Sequence, residues 1–267
     1  MEANQVSGTS IVGEDHIVDG LRRLGLTAGD AVLVHSSLRS FGYVQGGADA
    51  VIDALLACAG TSGTVVVPTL SFRSYDPAQP SFDARTTPSD TGQITEVFRQ
   101  RPDAMRSAHP VSSVAAIGQA AGYLTAAHLD TPCGATSPYA RLAELDGYCL
   151  FLGTSFTSNS VFHVAEEEVE PSYLGYHALS DVHVVDQWGQ SSVRTFRRYD
   201  CSDRGVRRYL AKMEPIFRRQ GLVRETTIGS CQAMLIRARD NVRVTSALLR
   251  ETPEYILAPD VDLRTSQ

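Results

Sequence analysis

The sequence predicts an α/β fold, a single domain whose mixed central sheet is sandwiched between helix layers, with a β-hairpin in the C-terminal half. Two patterns lead there. Short apolar runs rich in β-branched residues alternate with amphipathic helical stretches through the first half, the signature of strands covered by helices. Residues 173–199 then alternate polar with apolar around Trp188-Gly189, as a hairpin does. No composition break divides the 267 residues, so 1–267 reads as one unit.

Taken in order, Ile17, Leu21 and Leu24 recur at helical spacing before the stop signal Gly25. AVLVH (31–35) reads as a strand, Val51 to Leu56 as a helix closed by Gly60, and TVVVP (64–68) as a second strand. The polar connection 71–91 carries prolines and scattered charges that predict no regular structure, and its length suits an active-site lid or a surface segment. A helix around 92–100, a strand at 112–118 and a helix at 119–128 follow. Next come a helix from Tyr139, the strand 148–153 and a helix beginning near Thr157. After the hairpin, a helix near 204–219 and a strand–helix unit through Leu248 close the chain. The hairpin is what predicts a mixed sheet.

Composition removes several function classes. The formal charge of −6 disfavours binding to nucleic acid. No apolar run approaches the roughly 20 residues of a membrane span. The opening MEANQVSGTS lacks a signal peptide's basic start and apolar stretch, so a cytoplasmic protein is expected. Five cysteines without a C-x-x-C pair argue against a zinc site or a disulfide framework. Lys212 is the sole lysine, within RRYLAKMEPIFRR, which reads as the solvated side of a helix. A P-loop or Schiff-base lysine is therefore disfavoured. Neither G-x-S-x-G nor G-x-G-x-x-G occurs where a hydrolase or a dinucleotide-binding fold needs it.

Three constellations carry possible chemistry. His35-Ser36-Ser37 ends the first strand, where α/β sheets bind ligands, although serines there also simply cap turns. In Asn159-Ser160-Val161-Phe162-His163-Val164-Ala165-Glu166, His163 and Glu166 share a helix face. A carboxylate so placed fixes one ring nitrogen and leaves the other basic, whereas the bland reading is a satisfied core histidine beside a solvated glutamate run. Arg106-Ser107-Ala108-His109-Pro110 offers a phosphate partner and a pocket histidine, or else merely a loop with a surface arginine.

These stretches resemble the aminoglycoside 3-N-acetyltransferase family, a group of acetyl-CoA-dependent enzymes distinct from the GNAT acetyltransferases. The resemblance lies in VLVHSSLRSFG (32–42), GTSGTVVVPTLSF (60–72) and RSAHPVSSVAAIGQAA (106–121). It continues in TSPYARLAELDGYCLFLG (136–153), NSVFHVAE (159–166) and LIRARD (235–240), all in family order. It implies acetyl transfer from acetyl-CoA to an amine, often the 3-amino group of a 2-deoxystreptamine aminoglycoside, and a small cationic substrate, no metal and a monomer or homodimer are expected. His163 matches the family's base and Glu166 the glutamate after it. His35, Ser36, Ser37, Thr69, Arg106, Ser107, His109, Ser113 and Val114 match stretches lining the acetyl-CoA site, placed mainly within 31–120. Acceptor binding is expected from 71–91 and 155–205, with Tyr75 as a substrate-binding candidate and Asp76, Asp83, Glu167, Asp200 and Asp203 as candidates for holding ammonium groups.

Two departures stand out. Relatives have Asn-Thr where this chain has Asn159-Ser160, which keeps the hydroxyl. Segment 171–203 matches no resistance enzyme closely and leaves the acceptor open. Three alternatives therefore remain: the same transfer to a biosynthetic amino sugar or amino acid, a metal-dependent hydrolase with His163 and Glu166 as ligands, and a non-catalytic binding module.

Overall fold

The computed structural model describes residues 11–257; the MEANQVSGTS segment read above for a leader lies outside the described residues. Helix α1 (Glu14–Leu24) leads into β1 (Ala31–Ser36), α2 (Gly47–Ala59) and β2 (Thr64–Pro68). The long connection contains β3 (Ser81–Asp83), followed by α3 (Gln93–Arg99), β4 (Met105–Arg106) and β5 (Val114–Gly118). Then come α4 (Ala121–Thr125), α5 (Pro138–Glu144), β6 (Tyr148–Leu152) and α6 (Phe162–Val169). The chain continues with β7 (Tyr176–Val185), β8 (Ser191–Tyr199), α7 (Glu214–Arg219), β9 (Arg224–Ile228), β10 (Cys231–Arg237) and α8 (Ala238–Glu251).

Seven strands form the main sheet in the order β4-β5-β2-β1-β6-β10-β9. Central β1 runs parallel to β2 and β6, and the outer pairings are antiparallel. Because β1 is covered on both faces, its middle residues Val32 to His35 are all buried, which explains the unbroken apolar run. Side chains alternate across the pleat. Val32 and Val34 pack into the layer built by α1, α2 and α3, with Val65, Val67 and Leu150. Leu33 packs into the opposite layer with Val66, Phe151, Phe162 and Phe217. The same parity turns His35 to that second face, where its ring stacks on Phe151 at 5.3 Å.

The hairpin at 173–199 is present, but it does not make the main sheet mixed. It forms a separate three-stranded sheet, β3-β7-β8, because Leu179, Val182, Val184 and Phe196 close on Phe82 and Val111 as their own core. The main sheet is mixed through β4, β5, β9 and β10. Segment 71–91 is likewise not free of structure, since β3 pairs in parallel with β7. Asp90 also caps the connection by accepting from the backbone N–H of Arg73 at 2.6 Å.

The helix expected over 204–219 is shorter: a 3-10 turn at Leu210–Met213 runs into α7. Lys212 is half-buried there rather than solvated, and its Nζ donates to the carbonyl of Tyr255 at 3.0 Å, pinning the C-terminal turn. The strand–helix unit is in fact a hairpin, β9–β10, followed by α8. All five cysteines are buried and unpaired.

Gly118 ends β5 at φ +128°, and a Cβ there would lie 2.2 Å from the carbonyl oxygen of Gly63. Gly118→Ala is expected to cost about 1–3 kcal/mol by overpacking, read as a lower urea midpoint; an unchanged midpoint contradicts this packing.

Candidate active site

Parallel pairing of β1 with β6 sets Ser36 opposite Leu152, so both strands end on one edge of the sheet. The chain leaving β6 makes a 3-10 turn at Phe156–Ser158 and enters α6 only at Phe162, later than the expected start near Thr157. Asn159 explains the delay. Its Oδ1 accepts from the backbone N–H of Phe162 at 3.3 Å and from Asn241 Nδ2 of α8 at 2.7 Å. Reciprocally, Asn159 Nδ2 donates to Asn241 Oδ1 at 3.2 Å, so a buried amide pair fixes where α6 begins.

Two adjoining cavities open on this edge. His35, Ser36, Pro68, Thr91, Thr95 and Thr154 line the first. Phe72, Cys133, Tyr139, Asn159, His163, Tyr199 and Arg208 are among those lining the second. Leu70, Ser158 and Ser160 line both, so together they form one cleft from the strand end to α6.

His163 Nδ1 hydrogen-bonds Glu166 Oε2 in a close contact. Glu166 is 0% exposed, and its other partners come from outside α6. Arg208 Nη1 donates to Oε2 at 2.8 Å, and the Tyr173 hydroxyl donates to Oε1 at 2.8 Å. Burial alone pushes this carboxyl up, but His163, Arg208 and the Tyr173 hydroxyl outweigh it and hold the carboxyl below its ordinary range. His163 Nε2 has no protein partner among the described residues, and the ring lines the cleft. A histidine with one nitrogen fixed by a buried carboxylate and the other facing a cavity can exchange a proton at the open nitrogen.

His35 has a different character. Its Nε2 accepts from the Ser160 backbone N–H at 3.5 Å. Burial first, and the nearby His163 second, bring its pKa down to about 3, so the ring is neutral near pH 7. Next to it, the buried Ser36 hydroxyl has no hydrogen-bond partner among the described residues and borders the first cavity. The Ser37 amide is already engaged with Leu152 O at 2.9 Å.

The remaining cofactor-site candidates hold the fold together in this structure. Arg106 is buried, with Nε 3.1 Å from both Thr69 Oγ1 and Ser113 Oγ. Its Nη2 donates to Thr69 O at 2.9 Å and Nη1 to Thr87 O, while the guanidinium sits 5.0 Å over Phe82. Burial, then Arg99, brings its pKa down to about 9. Arg106 is thus neither a surface arginine nor a side chain open to a phosphate; it staples the 69–91 connection to β4. Ser107 bonds His128 Nδ1 at 3.0 Å. Fully buried His109 meets Arg197 O through Nε2 at 3.1 Å and accepts from the Ser112 N–H through Nδ1. Val114 is in the core beneath α4.

The acceptor candidates share one property: each carboxylate already has a partner. Asp76 caps Ala78 N at 2.8 Å, and Asp83 pairs with Arg85 at 3.1 Å. Asp200 pairs with Arg204 at 2.8 Å, and Asp203 with both Arg198 and His177. Glu167 accepts from the Tyr199 hydroxyl at 2.6 Å and from Cys133 N at 2.7 Å, and burial raises its carboxyl. Only Glu167 stands beside the cleft-lining residues, and Tyr75 packs instead on the small-sheet core. Arg208, Tyr199 and Tyr173 were not anticipated, because their roles depend on tertiary placement. His163 Nδ1 and Glu166 Oε2 face each other rather than converging on a shared open point. Among the described residues, no group of three or more metal-ligating side chains is arranged to hold an ion.

A family model described as aminoglycoside 3-N-acetyltransferase matches residues 33–250. The chain is 33% identical to aminoglycoside N(3)-acetyltransferase VII of Streptomyces paromomycinus, over 86% of this chain and 89% of that protein. It is similar to the crystal structure of a histidine-to-alanine mutant of AAC(3)-IVa in complex with a gentamicin. That match has a TM-score of 0.81 and 30% identity and covers 95% of this chain and 94% of the other. It is also similar to AAC-IIIb in a binary complex with CoASH, with a TM-score of 0.77 and 26% identity, over 91% and 97% of the two chains.

The depressed Glu166 carboxyl carries a sign. Its contribution to stability is present above the ordinary carboxylate range and is lost as pH falls through the folded value. Glu166→Gln, which strands Arg208, is expected to cost about 3–5 kcal/mol at pH 7. The gap from wild type should narrow in acid. Urea unfolding at pH 7 and pH 4 reads this, and a gap that widens toward acid contradicts it.

Proposed function

The chain belongs to the aminoglycoside 3-N-acetyltransferase family, and on that premise we propose that it transfers the acetyl group of acetyl-CoA to an aminoglycoside amine, the 3-amino group of 2-deoxystreptamine, conferring resistance. The observation that carries the chemistry is the His163 ring, bound to a buried carboxylate at Nδ1 and open to the cleft at Nε2.

An ammonium has no lone pair with which to attack a thioester. His163 Nε2 accepts its proton, while Glu166 holds the ring in the tautomer that leaves Nε2 basic. Acetyl-CoA is the second substrate, and when bound it supplies an activated acyl carbon and a thiol leaving group. The strand-end cavity fits that role: the Ser36 hydroxyl is a donor without a partner among the described residues, suited to an oxygen that gains negative charge. His35 stays neutral and so places no positive charge in the path of an incoming ammonium. Overall the nitrogen loses two protons; one ends on the departing sulfur and the other in solvent, as the C–N bond forms and the C–S bond breaks. Transfer is direct, with no acyl group on the enzyme.

A second reading keeps this chemistry and changes the acceptor to an amino sugar or amino acid. The partnered carboxylates favour it, because a polycation finds few free anions among the anticipated residues. Mass-spectrometric scoring of acetylation across aminoglycosides, simple amino sugars and amino acids separates the two readings: turnover confined to the latter two groups overturns the first.

His163→Ala is expected to lower kcat by about 10²–10⁴-fold, with acetyl-CoA binding retained. A loss of only a few-fold removes His163 from the base role.

A further inference from the structure

We infer that Arg208 is a positioning residue that cancels the charge of Glu166 and so keeps His163 unprotonated when the acceptor arrives. The inference rests on the reading of His163 as the base and adds what sets the pH range of that base.

A lone carboxylate against Nδ1 would do two things at once. It would fix the tautomer, and it would attract a proton to the ring by forming an ion pair. Only the first helps a base that must start empty. Arg208 separates the two effects. Its Nη1 lies 2.8 Å from Glu166 Oε2, the same oxygen that His163 contacts, and 3.5 Å from His163 Nδ1. The carboxylate's geometry is kept while its net charge is neutralised, and a protonated ring would sit against a guanidinium. The Arg208 side chain is only 17% exposed, so solvent screens this little, and its guanidinium rests 5.2 Å over Tyr199. The Arg208–Leu257 bridge anchors its backbone.

The other groups facing His163 do not duplicate this charge. From α6 come Glu166 and Glu167, from β1 the neutral His35, and from β8 Tyr199. Tyr173 bonds Glu166 from the loop before β7, and the Cys133 thiol lies in the same cavity wall. Burial raises both Tyr173 and Cys133, so neither adds a charge near pH 7. Among the groups named, Arg208 is the sole permanent cation. The arrangement serves both halves of the step: an empty Nε2 takes the proton from the ammonium, and the proton it gains is readily passed to the departing sulfur.

The test is the pH profile of kcat/KM between pH 5.5 and 9.5 with acetyl-CoA and the amine turned over fastest in the acetylation panel. One acceptor is used throughout, so its own titration is common to every enzyme. Arg208→Met is expected to move the acid limb alkaline by about 1–2 pH units, while the alkaline plateau falls much less than activity at pH 6. Arg208→Lys, which keeps the charge, should leave the limb near wild type. A uniform loss at every pH with an unmoved limb, or a limb moved toward acid, overturns the inference, since a purely structural role predicts the uniform loss. If Arg208→Met does not fold, judged by acetyl-CoA binding and thermal unfolding, Arg208→Lys decides: a limb displaced despite the retained charge overturns it. Failure of the underlying reading looks different, because wild type itself would then show no acid limb that His163→Ala removes.

Discussion

A fully buried carboxylate is the constraint around which the second half of this molecule is arranged. Glu166 cannot be dehydrated without hydrogen-bond and charge partners, and each of them comes from a different stretch of chain. His163 is one turn back on α6, Tyr173 lies on the loop toward β7, and Arg208 lies beyond the hairpin. Satisfying one side chain therefore brings the hairpin exit over α6 and closes the cleft wall with Tyr199. Breaking such a pair on one side strands the other charge. The network is consequently a stability element, and it also holds the ring proposed as the base.

The other wall depends on the central strands. β1 and β6 are parallel and end together, so their carboxyl ends present His35 and Ser36 to the same cleft that His163 enters from the side. The small sheet is tied to this edge by buried polar contacts rather than by a shared strand. Arg106 bonds the carbonyls of Thr69 and Thr87, and His109 bonds Arg197 O from β8. Residues that look like ligand contacts in the sequence are here the staples of the lid-like connection.

Much of this was legible from the residues. AVLV and TVVV announce strands buried on both faces, and Trp188-Gly189 marks the hairpin turn, because local chemistry dictates both. The pairing of His163 with Glu166 follows from helical spacing. What was hidden needed the third dimension. β4 has two residues and no pattern, while edge strand β9, RETTI, is mostly solvent-facing and shows no apolar run. Arg208 is one of several arginines between 194 and 208, and nothing local tells which of them is buried. Asp200 and Asp203 look available for ammonium groups until Arg204 and Arg198 fold back onto them.

The proposed base role of His163 requires that Glu166 hold its imidazole with the proton on Nδ1 and Nε2 bare. Nitrogen-15 NMR of histidine-labelled protein, with His163 assigned by its loss in His163→Ala, reads the tautomer of the neutral ring directly. The expected result is a protonated Nδ1 and a bare Nε2 in wild type, with that preference weakened in Glu166→Gln. A neutral ring carrying its proton on Nε2 would contradict it.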